Sequence, residues 1–237
     1  MSNIKLEDIC NNHSKNSPTD DMYNNFNNLI FSSDIKIIGK LLKRFEYFLQ
    51  IKDLPGDIVE LGVYRGSGVS TFCKFLQLYC PNSIKKVIGF DLFDTGSEVF
   101  DEYANGFTMK TVYNKIDANL LSFENVKHNL SNVNKDFYEL VKGDICETTL
   151  KYSKENPGLR ISLLYIDVDL DEPTYHGLKN LWNHIIDGGI ILFDEYQYHK
   201  FDECNGVDRF IKEMNLNERV FSTNWIAPDC YMIKKMN

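Results

Sequence analysis

The chain has 237 residues, 43% of them hydrophobic and 25% charged, which excludes a largely disordered, collagen-like or low-complexity protein. Asp plus Glu number 34 against 26 Lys plus Arg, a formal charge of −8; this argues against a general nucleic-acid binder, which needs a basic surface to neutralise phosphates. No apolar run approaches the ~20 residues that span a bilayer and the N-terminus lacks a secretory apolar stretch, so a cytoplasmic protein without a membrane partner is expected.

The first 30 or so residues are rich in Asn, Ser and Asp. Two readings stay open for them: a mobile terminus, or a segment that closes over a ligand or an interface between copies through Met22, Tyr23, Phe26, Leu29, Ile30 and Phe31. From residue 35 to 49 the apolar positions Ile38, Leu41, Leu42, Phe45, Phe48 and Leu49 predict a helix, with Lys40, Lys43 and Arg44 on its other faces. Beyond Pro55 short apolar runs alternate with amphipathic stretches. Strands are predicted at 57–61, 86–90, 137–141, 161–166 and 190–193, and helices at 67–79, 123–133, 174–186 and 207–214. The helix over 174–186 is expected to stop at Asp187-Gly188-Gly189. The stretch from Leu92 to Lys135 should hold one or two helices and a mobile loop, and 220–223 with 230–233 a closing antiparallel pair.

Strands that are apolar throughout and separated by helices indicate a mostly parallel sheet covered on both faces. Right-handed crossovers make it a doubly wound α/β fold. The expected division is an N-terminal helical or lid segment over 1–50 and an α/β domain over 51–237. The six cysteines, Cys10, Cys73, Cys80, Cys146, Cys204 and Cys230, show no metal or redox spacing and are read as free thiols.

Ligands in such sheets bind beyond the carboxyl ends of the strands, where strand order reverses. After the first strand comes Glu60-Leu61-Gly62-Val63-Tyr64-Arg65-Gly66-Ser67-Gly68. Its glycines permit a tight turn and close backbone approach, and the next helix points free N–H groups into the site. The G-x-x-x-G-x-G spacing is neither the dinucleotide fingerprint nor a phosphate loop, and Glu60 would repel a pyrophosphate. After the second strand, Asp91 can accept hydrogen bonds from both hydroxyls of a ribose; after the third, Asp144 can reach an adenine amino group or simply shape a turn. The fourth and fifth strands end in Asp167-Val168-Asp169-Leu170-Asp171-Glu172 and Asp194-Glu195. Adjacent parallel strands lie about 4.8 Å apart, so the two acidic clusters should face each other. Carboxylates gathered so closely need a positive partner, and a hard divalent cation such as Mg²⁺ suits their oxygens. Solvated loop acids and helix caps are the alternative, for which Asp171 or Glu172 before Pro173-Thr174 is well suited.

Three pieces resemble class I S-adenosylmethionine-dependent methyltransferases, and more narrowly the macrocin O-methyltransferase family. They are Val59 to Ser70 (VELGVYRGSGVS), Ile166 to Thr174 (IDVDLDEPT) and Asp187 to Tyr196 (DGGIILFDEY). A weaker fourth piece is Gly206-Val207-Asp208-Arg209-Phe210. The resemblance implies a metal-dependent enzyme that methylates a hydroxyl of a sugar or nucleotide sugar, with S-adenosylmethionine and Mg²⁺ as cofactors. It implies that Glu60, Gly62 and Gly66 line the methionine end, that Asp91 holds the ribose, and that Asp144 lies near the adenine. Tyr64, Ser67 and Asp167 complete the expected cofactor contacts. Asp167 or Asp169, with Asp194 and Glu195, would bind Mg²⁺. The cation would ease loss of the acceptor proton, and a base must lie within hydrogen-bond reach of that hydroxyl. Asp169 is the expected base if Asp167 takes the metal, with the roles exchangeable; His199 is the rival, and Lys200 a weaker one. The chain departs from the family pattern in having Glu195 where a second aspartate is common, and Asp171 where a tyrosine is expected. The alternative within the same fold is a methyltransferase acting on a nitrogen, phosphorylated or phenolic acceptor, whereas a nicotinamide oxidoreductase would leave the acidic clusters without a role. A non-catalytic relative of the same fold should have lost the cofactor loop or the acids, and this chain keeps both.

Overall fold

The computed structural model describes residues 19–95 and 98–235, so the expectations that fall on 1–18, Cys10 among them, lie outside the described residues. The short apolar runs became the strands β1 (Asp57–Leu61), β2 (Val87–Asp91), β3 (Tyr138–Lys142), β4 (Ile161–Ile166) and β5 (Ile185–Phe193), with β1, β2 and β4 the most deeply buried and β3 only partly covered at its edge of the sheet. These five are parallel, and β6 (Phe221–Ser222) and β7 (Cys230–Ile233) add antiparallel strands at one edge. The order across the sheet is β3-β2-β1-β4-β5-β7-β6. The helices are α1 (Thr19–Phe31), α2 (Lys36–Ile51), α3 (Ser67–Tyr79), α4 (Gly106–Tyr113), α5 (Phe123–Asn129), α6 (Ile145–Glu155), α7 (Asp171–Leu181) and α8 (Glu203–Glu213). None of the described helices is long and apolar enough to cross a membrane.

The period-two alternation of side chains divides the core between the two faces of the sheet. Leu164 and Ile166 of β4 join Val59, Leu61 and Phe193 in one cluster, which Leu178 of α7 and Phe210 of α8 complete. Leu163 and Tyr165, the intervening residues, join Ile58 and Leu192 in the other, which Phe48 and Ile51 of α2 and Phe72 of α3 cover. Strand β1 lies between β2 and β4, so the chain reverses direction across the sheet there, and the ends of β1 and β4 open into one crevice.

Several expectations needed correction, among them the helix over 123–133, which ends at Asn129. The helix expected over 174–186 starts earlier, at Asp171, and ends at Leu181; a short 3-10 turn then leads into β5 at Ile185. Asp171 and Glu172 suit a helix N-terminus electrostatically, and Pro173 is tolerated in a first turn because its missing N–H would be unpaired there. Asp187-Gly188-Gly189 runs inside the strand because the C-terminal segment pairs with it: Gly188 N–H donates to Lys234 O at 2.8 Å and Lys234 N–H to Gly189 O at 2.9 Å. Helix α6 was not anticipated, although its cap is legible in retrospect, since the Asp144 carboxylate accepts the Cys146 N–H at 2.8 Å. Helix α8 begins at Glu203 rather than Val207. Helix α1 exposes Tyr23, Phe26, Ile30 and Phe31. Cys73, Cys80, Cys146, Cys204 and Cys230 are free thiols, as expected.

Candidate active site

At the end of β1 the side chain of Glu60 is buried, 3.7 Å from Arg44 Nη2. Burial raises its pKa to about 8 against the pull of Arg44. The chain then turns at Gly62, which has φ +89°. Its N–H donates to Phe90 O, while the following link to β4 is the Asp167 N–H to Leu61 O bond, both 2.9 Å. Tyr64 adopts φ +53° and donates its N–H to Asp91 Oδ2 at 2.8 Å; Asp91 Oδ1 accepts from Phe93 N–H at 2.7 Å. Asp91 therefore fixes the glycine turn as well as facing the crevice. Gly66 precedes the first turn of α3, and Ser67 opens that helix toward solvent.

These residues form a cleft of about 610 Å³ lined by Glu60, Gly62, Tyr64, Ser67, Asp91, Tyr113, Asp167 and Asp169, with Lys40 and Arg44 on the side of α2. A small adjoining recess continues to Tyr103, Met109 and Asp144. Of the residues expected at a cofactor, all but Gly66 and Asp144 line the main cleft; Gly66 shapes the turn and Asp144 sits in the recess. Asp144 is already engaged, capping α6 and accepting from the Tyr103 hydroxyl at 2.9 Å.

The two acidic clusters do face each other. Asp167 Oδ2 and Asp194 Oδ2 are both 2.8 Å from the ammonium of Lys40, and the Tyr165 hydroxyl donates to the other oxygen of Asp194. Burial raises the Asp167 carboxyl, but Lys40 and Arg44 outweigh it and hold the pKa below the ordinary range. Asp194 is pushed up to about 6 by burial and by Asp167. Burial followed by the charges of Asp167, Glu195 and Asp194 raises Asp169 well above a normal carboxyl; its backbone has φ +64°. Glu195 rises to about 7 from burial and Asp194, with Lys36 4.0 Å away. Carboxylate oxygens in excess of neighbouring cations are the donor chemistry that Mg²⁺ prefers, so the residues fit such an ion in kind. The Lys40 ammonium stands where Asp167 and Asp194 meet, and in this arrangement no three acids, histidines or cysteines among the described residues are gathered as a metal-binding group.

Three residues of the site were missed or misassigned. Lys40 and Arg44, set on outward faces by the helical pattern, point inward; their i, i+4 spacing brings both to the same end of the sheet. Glu203 is fully buried, accepts the Glu195 N–H at 3.3 Å through Oε1 and leaves Oε2 unpartnered. Burial and then the nearby Asp169, Asp194 and Asp167 raise its pKa well above normal. No motif marked it, because it lies in a helix start without a recognisable signature. His199 is a correction of the opposite kind: its side chain is exposed on the loop after β5 and lines neither cleft, because the chain turns outward after Glu195. Lys200 is exposed on the same loop. Asp171 and Glu172 pair with Arg209, at 2.7 and 3.0 Å, as structural acids at the start of α7.

On the other side of Lys36 and Glu195 is a second cleft of about 820 Å³, lined also by Gln197, Tyr198, Phe201, Ser222 and Trp225. The strand order, the glycine turn after β1 and the acid ending β2 define a class I S-adenosylmethionine-dependent methyltransferase. The model of the macrocin-O-methyltransferase (TylF) family matches residues 40–230. Among solved structures, the calicheamicin methyltransferase CalS11 is similar at 25% identity and a TM-score of 0.68, over 98% of this chain and 94% of that one. A further CalS11 structure, described as the apo form of a TDP-rhamnose 3′-O-methyltransferase, matches at 24% identity and a TM-score of 0.67, over 98% and 96% of the two chains. The O-methyltransferase NovP matches at 20% identity and a TM-score of 0.65, over 82% and 80%. No curated protein matches by sequence. The chain belongs to the macrocin-O-methyltransferase family and is an S-adenosylmethionine-dependent O-methyltransferase.

Proposed function

We propose that the enzyme methylates a hydroxyl of a sugar or nucleotide sugar, using S-adenosylmethionine in the first cleft and Mg²⁺ at the acids that end β4 and β5. The observation that carries this is the position of those acids: Asp167 lines the first cleft and Glu195 the second, with Asp194 between them on the Lys40 ammonium. A donor and an acceptor seated in the two clefts would meet there. The similarity to CalS11, described as acting on TDP-rhamnose, supports a sugar acceptor.

In the reaction the methyl carbon leaves the sulfonium sulfur as its bond to the acceptor oxygen forms, and the hydroxyl proton passes to a base. Asp169 is that base: it lines the first cleft, and its carboxyl is driven by burial and neighbouring acids toward readier proton uptake. Asp167, Asp194 and Glu195 would hold Mg²⁺, whose chemistry is to polarise the hydroxyl. Glu60 and the N–H groups opening α3 face the methionine end, Asp91 the ribose and Asp144 the adenine. Holding both partners in line supplies much of the rate through orientation. We take the chain as an N-terminal helical or lid segment over 1–50 and a methyltransferase domain over 51–237, working in the cytoplasm on a small molecule, without nucleic acid or membrane.

The test is incubation with S-adenosylmethionine and a panel of nucleotide sugars, with Mg²⁺ or with a chelator, read by mass spectrometry. A sugar that gains one methyl group, with less product under chelation, supports the proposal. Methylation of amines or phenols in preference to every sugar overturns it.

A further inference from the structure

The two acids that end β4 and β5 are satisfied by a cation that the fold itself supplies. Lys40 reaches in from the first turns of α2 and places its ammonium 2.8 Å from Asp167 and 2.8 Å from Asp194. The next cation along that helix face behaves differently. Arg44 is buried, stacks on the Tyr165 ring at 4.9 Å and lies 3.7 Å from Glu60. With Asp167 a further 3.8 Å neighbour, it is fixed on three sides. Lys40 keeps a side-chain exposure of 24% and lines the 610 Å³ cleft, so its flexible stem has open space beside it. Helix α2 is anchored further along by Tyr47, Phe48 and Ile51, which are buried, so the ammonium can leave the acids without the helix moving.

A divalent cation and an ammonium cannot share this point. Both need the facing oxygens of Asp167 and Asp194, and at such separations like charges repel strongly where water is scarce. The surrounding charge favours whichever cation neutralises more, since Asp169 and Glu195 flank the pair and Glu203 is buried behind Glu195 with one oxygen unpartnered. We infer that Lys40 is a built-in competitor for the divalent-cation site: its ammonium occupies the Asp167–Asp194 pair until it swings into the cleft and yields that position to the metal. The inference rests on the proposed use of a divalent cation, not on the identity of the acceptor.

The test is titration of the full-length protein with Mn²⁺, followed by the loss of the free-ion electron paramagnetic resonance signal, for the wild type, Lys40→Gln and Lys40→Arg. Lys40→Gln should bind Mn²⁺ about tenfold or more tightly than the wild type, a change of about 1.4 kcal/mol. Lys40→Arg, which keeps the charge, should not share that gain. Equal or weaker binding by Lys40→Gln overturns the inference, as does an absence of Mn²⁺ binding by both proteins; neither result bears on methyl transfer, which the product assay reads separately. A second measurement needs no variant. An amine-reactive ester should label Lys40 of the wild type faster with Mn²⁺ present than without it, as mapped by peptide mass spectrometry. Unchanged or slower labelling overturns the inference.

Discussion

Replacing Gly62 by alanine should be among the most damaging single changes in the chain, and the structure gives the size of the effect. Gly62 has φ +89°, and a Cβ added there would lie 1.8 Å from the backbone oxygen of Asp167. An ordinary carbon–oxygen contact needs about 3.3 Å, so the turn and the end of β4 must separate by about 1.5 Å. Neither side is free to move, because Gly62 N–H is bonded to Phe90 O and Asp167 N–H to Leu61 O. A left-handed backbone costs a non-glycine residue roughly 1–2 kcal/mol. Weakening both hydrogen bonds adds about 1 kcal/mol each, for a total near 3–4 kcal/mol. For a chain of this size that lowers the melting temperature by about 6–16 °C. The control is Gly188→Ala. Gly188 also has a positive φ, +77°, but a Cβ there meets nothing within 4 Å, so only the backbone cost of about 1–2 kcal/mol applies. Urea unfolding of both variants separates the terms. A Gly62→Ala loss no larger than that of Gly188→Ala would refute the claim that the glycine turn is locked against β4.

Other consequences follow from single side chains. Asp91→Ala strands the N–H groups of Tyr64 and Phe93, so stability should fall by about 1–3 kcal/mol and S-adenosylhomocysteine affinity should fall with it; calorimetry showing wild-type affinity would count against its double role. Trp225→Ala removes an aromatic wall of the second cleft and should raise the acceptor KM about 5- to 30-fold, a loss of 1–2 kcal/mol, with cofactor affinity unchanged; a weakened cofactor site instead would move the acceptor elsewhere. Lys85 is buried, donates to Leu54 O at 2.9 Å and Ser162 Oγ at 2.8 Å, and has its pKa lowered by burial to about 8 from 10.5. Between those values the unfolded chain holds a proton that the folded chain has released, so stability should rise with pH across that window, by about 3 kcal/mol. Lys85→Met should abolish the rise, and parallel pH curves for the two proteins would contradict it. Cys73 is buried with its thiol raised to about 12, so it should resist thiol reagents until the protein unfolds.

What the sequence made legible was what local chemistry dictates. Strands such as Ile161–Ile166, apolar but for Ser162 and buried along their whole length, declared both their position and their burial on two faces. Once their order was known, acids at strand ends such as Asp91, Asp167 and Asp194 had to gather at one edge. The boundaries that failed were those decided by partners distant in sequence. Gly188 and Gly189 look like a helix stop, yet pairing with Lys234 makes them strand. Lys40 is the sharpest case. A lysine on an amphipathic helix reads as a solvated face, and only the packing of α2 against the sheet turns it 2.8 Å from two acids that are 127 and 154 residues away. His199 failed in reverse, because nearness in sequence to Asp194 and Glu195 did not survive the outward course of the chain after β5.

The central claim is that donor and acceptor meet at the acids between the two clefts. The most direct measurement is a crystal structure of the enzyme with S-adenosylhomocysteine and a nucleotide sugar. The account predicts the homocysteine end against Glu60 and the first turn of α3, the ribose on Asp91, and a sugar hydroxyl facing the sulfur beside Asp167, Asp169 and Glu195. A sugar seated away from these acids, or S-adenosylhomocysteine outside the cleft above Gly62, would contradict it.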